Sequence, residues 1–72
     1  MSEIYTPDNE QKTLLELRKE AGMKQKAVAE KIGVSAKTVQ NWESGAAIPN
    51  AVHFKKIANI YGVKMDKIYL PL

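Results

Sequence analysis

Three polar residues close together in the chain, Lys37, Gln40 and Asn41, carry groups that can hydrogen-bond to the edges of nucleic-acid bases. A lysine donates to guanine O6 and N7, and the amide of asparagine or glutamine pairs bidentately with adenine. If this stretch is a helix, the apolar Val39 and Trp42 face inward, and at about 100° per residue the polar side chains lie outward. The spacing predicts a base-contacting stripe, and the alternative is an ordinary solvated helix face.

The tip of the same helix offers a fourth candidate base contact, the Ala36 methyl group, which can meet a thymine methyl. Candidate contacts to the DNA backbone flank this region or open a helix: Lys24, Gln25, Lys26, Ser35, Thr38, Asn50 and Lys55. Gln25 and Asn50 are the strongest of these, because each combines a side-chain donor with a helix N-terminus. The alternative is that Gln25 only favours helix formation and the lysines are solvated.

Two short helices joined by a tight turn are needed to position these residues, and residues 25–45 have that pattern. Val28 and Ile32 give the first helix an apolar stripe, and Gly33 supplies a residue that can take a positive φ at its end. Ser35 is a strong N-cap for the next helix, and Gly45 ends it. Such a pair presents its second helix to the major groove of DNA.

The other elements are predicted from caps and apolar spacing. Helix 1 is expected over Pro7–Ala21, with Thr6 as N-cap, and helix 4 over Ala51–Tyr61, after the cap Asn50. A short fifth helix is expected over Met65–Tyr69. The predicted fold class is therefore all-α with five short helices, in one domain that spans residues 1–72 and begins with a flexible tail over residues 1–5.

The charge of the chain is unevenly distributed, although the net charge is only +3. Residues 1–23 have five acidic and three basic groups, while residues 24–72 have eight lysines and three acidic groups. The basic part contains the predicted pair of helices, as expected of a surface that faces phosphates. The alternative is that these lysines only lie on solvated helix faces, which would give the same distribution of charge.

Other chemistry finds little support in the sequence. The single histidine, His53, has no cysteine and no suitably spaced carboxylate pair with which it could form a catalytic or metal site. The sequence also has no glycine-rich phosphate loop. We therefore expect no enzyme activity, no cofactor and no metal site. The chain has no cysteine, no apolar run of about 20 residues and no signal-peptide layout, so a cytoplasmic location without membrane contact is expected.

An ordered set of residues resembles a known family, the helix-turn-helix DNA-binding domains of the lambda-repressor and Cro type, or XRE family. The resemblance covers Leu14 to Ile68 and is carried by Arg18, Gln25, Ala29, Gly33, Val34, Ser35, Val39, Trp42, Glu43, Gly45, Pro49, Gly62 and Val63. It implies that helices 2 and 3 form the helix-turn-helix and that helix 3, about residues 36–44, reads the major groove.

The resemblance also implies a buried ion pair between Arg18 and Glu43 that joins helix 1 to the end of helix 3. The chain departs from the family at Lys24, where a serine or threonine cap is usual, and at Ala36, where longer polar side chains are common. The second departure shifts base reading toward Lys37. The loop after Gly45 also lacks the basic residue often found there.

These observations predict a sequence-specific double-stranded DNA-binding protein, a small transcriptional regulator that acts as a repressor. We expect a homodimer on a palindromic operator, with Tyr69–Leu72 as the candidate dimer interface. The alternative is an antitoxin or adaptor that uses the same fold for protein interaction, with a toxin as partner. Salt-sensitive binding to duplex DNA would distinguish a DNA reader from an adaptor.

Overall fold

The structure is a computed structural model that describes residues 11–70. In this range four α-helices are followed by one turn of 3-10 helix, and two short strands lie at the ends. The elements are β1 (Lys12–Thr13), α1 (Leu14–Glu20), α2 (Gln25–Ile32), α3 (Ala36–Ser44), α4 (Ala51–Tyr61), the 3-10 turn (Met65–Lys67) and β2 (Ile68–Tyr69). The two strands pair in parallel.

The predicted ends of α2 and α3 are confirmed. Gly33 ends α2 with a φ of 93°, and its backbone N–H donates to the carbonyl of Ala29. A residue with a Cβ would be strained in this left-handed conformation. Two residues later the Ser35 side chain accepts from the Thr38 N–H and starts α3. The tight connection lets α2 and α3 pack on each other.

A hydrophobic core joins all four helices to β2. It consists of Leu14, Leu17, Val28, Ala29, Ile32, Val39, Trp42, Ile57, Ala58 and Ile68, each at most 5% exposed. The Trp42 ring also lies against His53 of α4, with 5.4 Å between the ring centroids. Val39 and Trp42 are therefore anchored on two neighbouring helices, which fixes the face that α3 turns outward.

The predicted bounds of helix 4 are also confirmed. Asn50 is the N-cap of α4, its side-chain oxygen accepting from the His53 N–H, and Gly62 ends the helix in the left-handed conformation. Ile57 and Ala58 are buried, whereas Phe54 and Tyr61 of the same helix are only partly covered. Residues 11–70 contain no helix that combines the length and the apolar character of a membrane span.

The predicted start of helix 1 is wrong within the described range. Residues 11–13 are not helical, and α1 begins at Leu14 behind a capping box that the TLLE sequence encodes. The Thr13 hydroxyl accepts from the Glu16 N–H at 3.1 Å, and the Glu16 carboxylate accepts from the Thr13 N–H at 2.8 Å. The hydrogen bond from the Thr13 N–H to the Glu16 carboxylate is the main cause of a lowered pKa of Glu16. Thr6 and Pro7 lie outside the described residues.

The fifth helix is a second correction. Met65–Lys67 form only a 3-10 turn, after which Ile68 and Tyr69 extend and pair with Lys12 and Thr13. A helix this short is costly to nucleate, whereas the extended chain buries Ile68 in the core. The Gln11 side chain adds a 3.0 Å hydrogen bond to the Asp66 carbonyl. The fold thus has four α-helices in residues 11–70, not five.

The capping box gives a test of the start of α1. We expect Thr13→Ala to lower the free energy of unfolding by about 1 kcal/mol, because the Glu16 N–H loses its acceptor. Urea unfolding measures this change, and Thr13→Ser, which keeps the hydroxyl, is the control. The pKa of Glu16 lies below its ordinary value of 4.5 in the fold, so the box contributes at neutral pH and is lost as pH falls through that lowered pKa. An alanine variant as stable as the serine variant would contradict this assignment.

Candidate nucleic-acid interface

The outer face of α3 carries the residues that sequence reasoning selected for base contacts. Ala36, Lys37 and Gln40 are exposed, and Asn41 is partly covered. Lys37, Gln40 and Asn41 follow the spacing of neighbours on one helix face. Asn41 also supports the next loop, since its backbone carbonyl accepts from the Ala47 N–H and the Ser44 hydroxyl, both at 3.2 Å. The structure therefore places the four candidates on one nine-residue helix.

Ser35 and Thr38, two of the candidate contacts to the DNA backbone, are hydrogen-bonded to each other at the start of α3. Their hydroxyl oxygens are 3.0 Å apart, and the Ser35 oxygen also accepts from the Thr38 N–H at 3.1 Å. The single hydroxyl group of each side chain is thus already hydrogen-bonded within the fold. Their first role is to fix the tip of the helix.

The Arg18 and Glu43 side chains form an ion pair between α1 and α3. Arg18 Nε donates to Glu43 Oε2 at 2.6 Å, and Nη2 donates to Oε1 at 3.3 Å. Nη1 donates to the Met23 carbonyl at 3.0 Å, in the connection between α1 and α2. Only 13% of the arginine side chain and 7% of the glutamate side chain are exposed. The hydrogen bonds to Glu43 raise the pKa of Arg18.

Gln25 joins this pair, which sequence reasoning did not predict. Its side-chain nitrogen donates to Glu43 Oε1 at 2.9 Å, so the first residue of α2 is tied to the last turn of α3. An amide nitrogen has two hydrogens, and the second is left for a phosphate oxygen at the N-terminus of α2. No spacing rule along the chain indicates a contact between these two residues.

Tyr61 is another residue whose setting the sequence left open. It is the last residue of α4, and it lies close enough to Arg18 and Glu43 to sense both charges. Burial raises the pKa of Tyr61 to about 12, the Glu43 carboxylate adds to the rise, and Arg18 opposes it. The phenol is therefore neutral at physiological pH beside the ion pair.

The remaining candidate backbone contacts lie at helix starts or on the surface. Lys24, Lys26 and Lys55 are exposed, and Lys24 takes the N-cap position of α2 without a side-chain capping bond. Asn50 uses its side-chain oxygen to cap α4, accepting from the His53 N–H at 2.8 Å, so its side-chain nitrogen is the group left for a phosphate. The lysine head groups lie in solvent, where they can meet phosphates.

A helix held on a second helix through a tight glycine turn, with a polar outer stripe, is typical of the helix-turn-helix class of DNA-binding regulators. The sequence model of the helix-turn-helix family matches residues 14–68. The chain belongs to this family, as a domain of the lambda-repressor and Cro type, and it is a DNA-binding regulator of the XRE kind. A comparison with curated proteins gives no match.

The family consists of DNA-binding regulatory domains. The position of His53 is explained by packing, since its ring lies on Trp42 and its N–H is capped by Asn50. Among residues 11–70, acidic and histidine side chains form no group of three that could hold a metal ion.

The ion pair gives a second test. We expect Glu43→Ala to lower the free energy of unfolding by about 3 to 5 kcal/mol, because it leaves the Arg18 guanidinium covered without its carboxylate. Glu20→Ala is the matched control, since Glu20 pairs with Lys12 at 2.7 Å but the two side chains are 54% and 47% exposed. Loss of an exposed pair costs about 1 kcal/mol or less. Equal losses in the two variants, measured by denaturant unfolding, would contradict a buried role for Glu43.

Proposed function

We propose that this protein is a sequence-specific double-stranded DNA-binding regulator that represses transcription and reads bases in the major groove with α3. The observation that carries the proposal is the outer stripe of α3, where Lys37, Gln40 and Asn41 lie opposite Val39 and Trp42. The major groove is wide enough to admit an α-helix, and each base pair presents a distinct pattern of donors and acceptors there.

The four candidate base contacts differ in the base groups that they can bind. Lys37 has the longest side chain of the four candidates and would donate to guanine O6 and N7, while Gln40 or Asn41 would pair with adenine. Ala36, at the first position of α3, offers only a methyl group. Because Asn41 is partly covered, we assign most of the discrimination to Lys37 and Gln40.

The backbone contacts would set the position of α3 in the groove. Lys24, Lys26 and Lys55 supply charge, and Gln25 and Asn50 supply amide donors beside helix N-termini. Each amide keeps a free N–H after its bond inside the fold. Phosphate contacts on both sides of α3 would fix its angle without adding sequence information.

The small size of the domain supports the proposal of a homodimer on a palindromic operator. One module of this kind buries about 600 to 1,000 Å² on DNA, and a second copy on a half-site one helical turn away doubles the base contacts. Repression by occupying the operator would need no surface beyond the one that binds DNA. The cytoplasm is the location that we propose for such a regulator.

Selection of binding sites from random duplex DNA tests this function. We expect one motif to be enriched as an inverted repeat, and the enrichment to persist when the selection is repeated at higher salt. Recovery of unrelated sequences at both salt concentrations would contradict sequence-specific binding.

Lys37 gives a test of base reading. We expect Lys37→Ala to weaken binding to the selected site by about 1 to 3 kcal/mol and to relax preference at one base pair. Fluorescence anisotropy with the selected site and a scrambled duplex measures both effects. Lys31→Ala, which removes an exposed lysine from α2, is the matched control. If Lys37→Ala weakens the selected and scrambled duplexes equally, Lys37 contacts phosphate instead.

The lysines at the start of α2 give a test of phosphate contacts. We expect Lys24→Ala and Lys26→Ala each to weaken all DNA sequences alike, and to reduce the slope of log affinity against log salt by about 0.9. Lys64→Ala, before the 3-10 turn, should leave the slope unchanged. If neither α2 variant alters the slope, these lysines are only solvated surface residues.

A further inference from the structure

The tip of α3 presents a bare methyl group among polar side chains. Ala36 is the first residue of the helix and is exposed, whereas Lys37 and Gln40, which are also exposed, are polar. An alanine side chain neither donates nor accepts a hydrogen bond, so it can contact only the apolar part of a base edge. In the major groove that part is the methyl group on C5 of thymine.

The Ala36 methyl group is held at a fixed point by the turn before it. Gly33 ends α2 with a φ of 93°, and the Ser35 hydroxyl accepts from the Thr38 N–H at 3.1 Å, so the backbone is capped on both sides of the turn. An alanine side chain also has no rotamer freedom to lose. A methyl contact at this position therefore needs no ordering of a side chain, unlike a contact made by a lysine.

The neighbouring side chains offer no carboxylate to the tip of α3. The Ser35 and Thr38 hydroxyl oxygens are 3.0 Å apart and are hydrogen-bonded to each other. The one carboxylate of α3 belongs to Glu43, whose side chain is 7% exposed and accepts from Arg18. Carboxylates are the groups that accept from the N4 amino group of cytosine. The tip therefore has no carboxylate with which to recognise a cytosine by its amino group.

Cytosine that is methylated on C5 offers the same contact as thymine to such a surface. The two methyl groups lie on the same ring carbon and in the same groove, and the two bases differ at position 4, where thymine has an oxygen and cytosine has an amino group. The Ala36 methyl group cannot hydrogen-bond to position 4, so it meets the two bases in the same way. Unmethylated cytosine and uracil lack the contact.

We propose that Ala36 makes duplex DNA with 5-methylcytosine a ligand of this protein, the methylated base taking the place of one thymine in each half-site. The proposal rests on the proposed function and adds a form of regulation to it. Methylation of a cytosine on C5 converts a weaker operator into a stronger one. The helix that reads the base sequence thus also reads the methylation state of the DNA.

The first test replaces single bases in the selected site. We expect one thymine of each half-site at which deoxyuridine, which lacks only the methyl group, weakens wild-type binding about fourfold. This fold-change is equivalent to about 0.8 kcal/mol for burying one such carbon, at about 1.4 kcal/mol per tenfold. At the same position, 5-methylcytosine paired with guanine should bind about fourfold more tightly than cytosine paired with guanine.

The second test removes the methyl group from the protein. We expect Ala36→Gly to bind the thymine and deoxyuridine duplexes equally, and to bind the cytosine and 5-methylcytosine duplexes equally. Each comparison is a ratio within one variant, so a change in the stability of the fold cancels. Ala51→Gly is the matched control and should keep both ratios, since Ala51 is an exposed alanine at the first position of α4, behind the cap Asn50. Fluorescence anisotropy measures the four affinities.

The proposal would be overturned if no thymine of the half-sites were sensitive to deoxyuridine, or if 5-methylcytosine bound no more tightly than cytosine at the sensitive position. It would also be overturned if Ala36→Gly kept the wild-type ratios, because the preference would then come from the shape of the DNA. Loss of the ratios in Ala51→Gly would have the same consequence. Failure of the proposed function gives a different result, since the wild type would then bind the selected site no better than a scrambled duplex.

Discussion

The Glu43 carboxylate is the point at which α1, α2 and α3 are held together. One of its oxygens accepts from Arg18 of α1, and the other accepts from Arg18 and from Gln25 of α2. Three helices are thus joined at one covered carboxylate. Covered ion pairs add little net stability compared with apolar packing, but they strongly penalise arrangements that separate the partners. We infer that this network sets the orientation of α3, while the apolar core supplies most of the stability.

The elements that could be predicted from the sequence are those with local signals at both ends. Ser35 and Gly45 bracket α3, and Asn50 and Gly62 bracket α4, so their bounds follow from capping chemistry. The start of α1 could not be decided in this way, because the chain contains two helix-start patterns, one at Thr6 and one at Thr13. Pairing of Lys12 with Ile68, at opposite ends of the described chain, is a tertiary contact without a local signal.

The candidate site likewise has one feature that could be predicted from the sequence and one that could not. The outward stripe of α3 follows from the positions of Val39 and Trp42, because helical geometry fixes one face once the other is buried. The hydrogen bond of Gln25 to Glu43 could not be predicted, since it depends on how α2 crosses α3. It changes the chemistry of the candidate site, because one N–H of the amide is already used inside the fold and the orientation of the amide is already set. The side chains of Ser35 and Asn50, which cap helices, also have one hydrogen bond already made inside the fold.

The central claim is that α3 reads bases from the major groove, and methylation interference on the selected site tests it most directly. Methylation of guanine N7 alters the major groove, whereas methylation of adenine N3 alters the minor groove. We expect N7 methylation within the motif to block binding and N3 methylation to leave it intact. Interference from adenine N3 alone, or from neither position, would contradict the account.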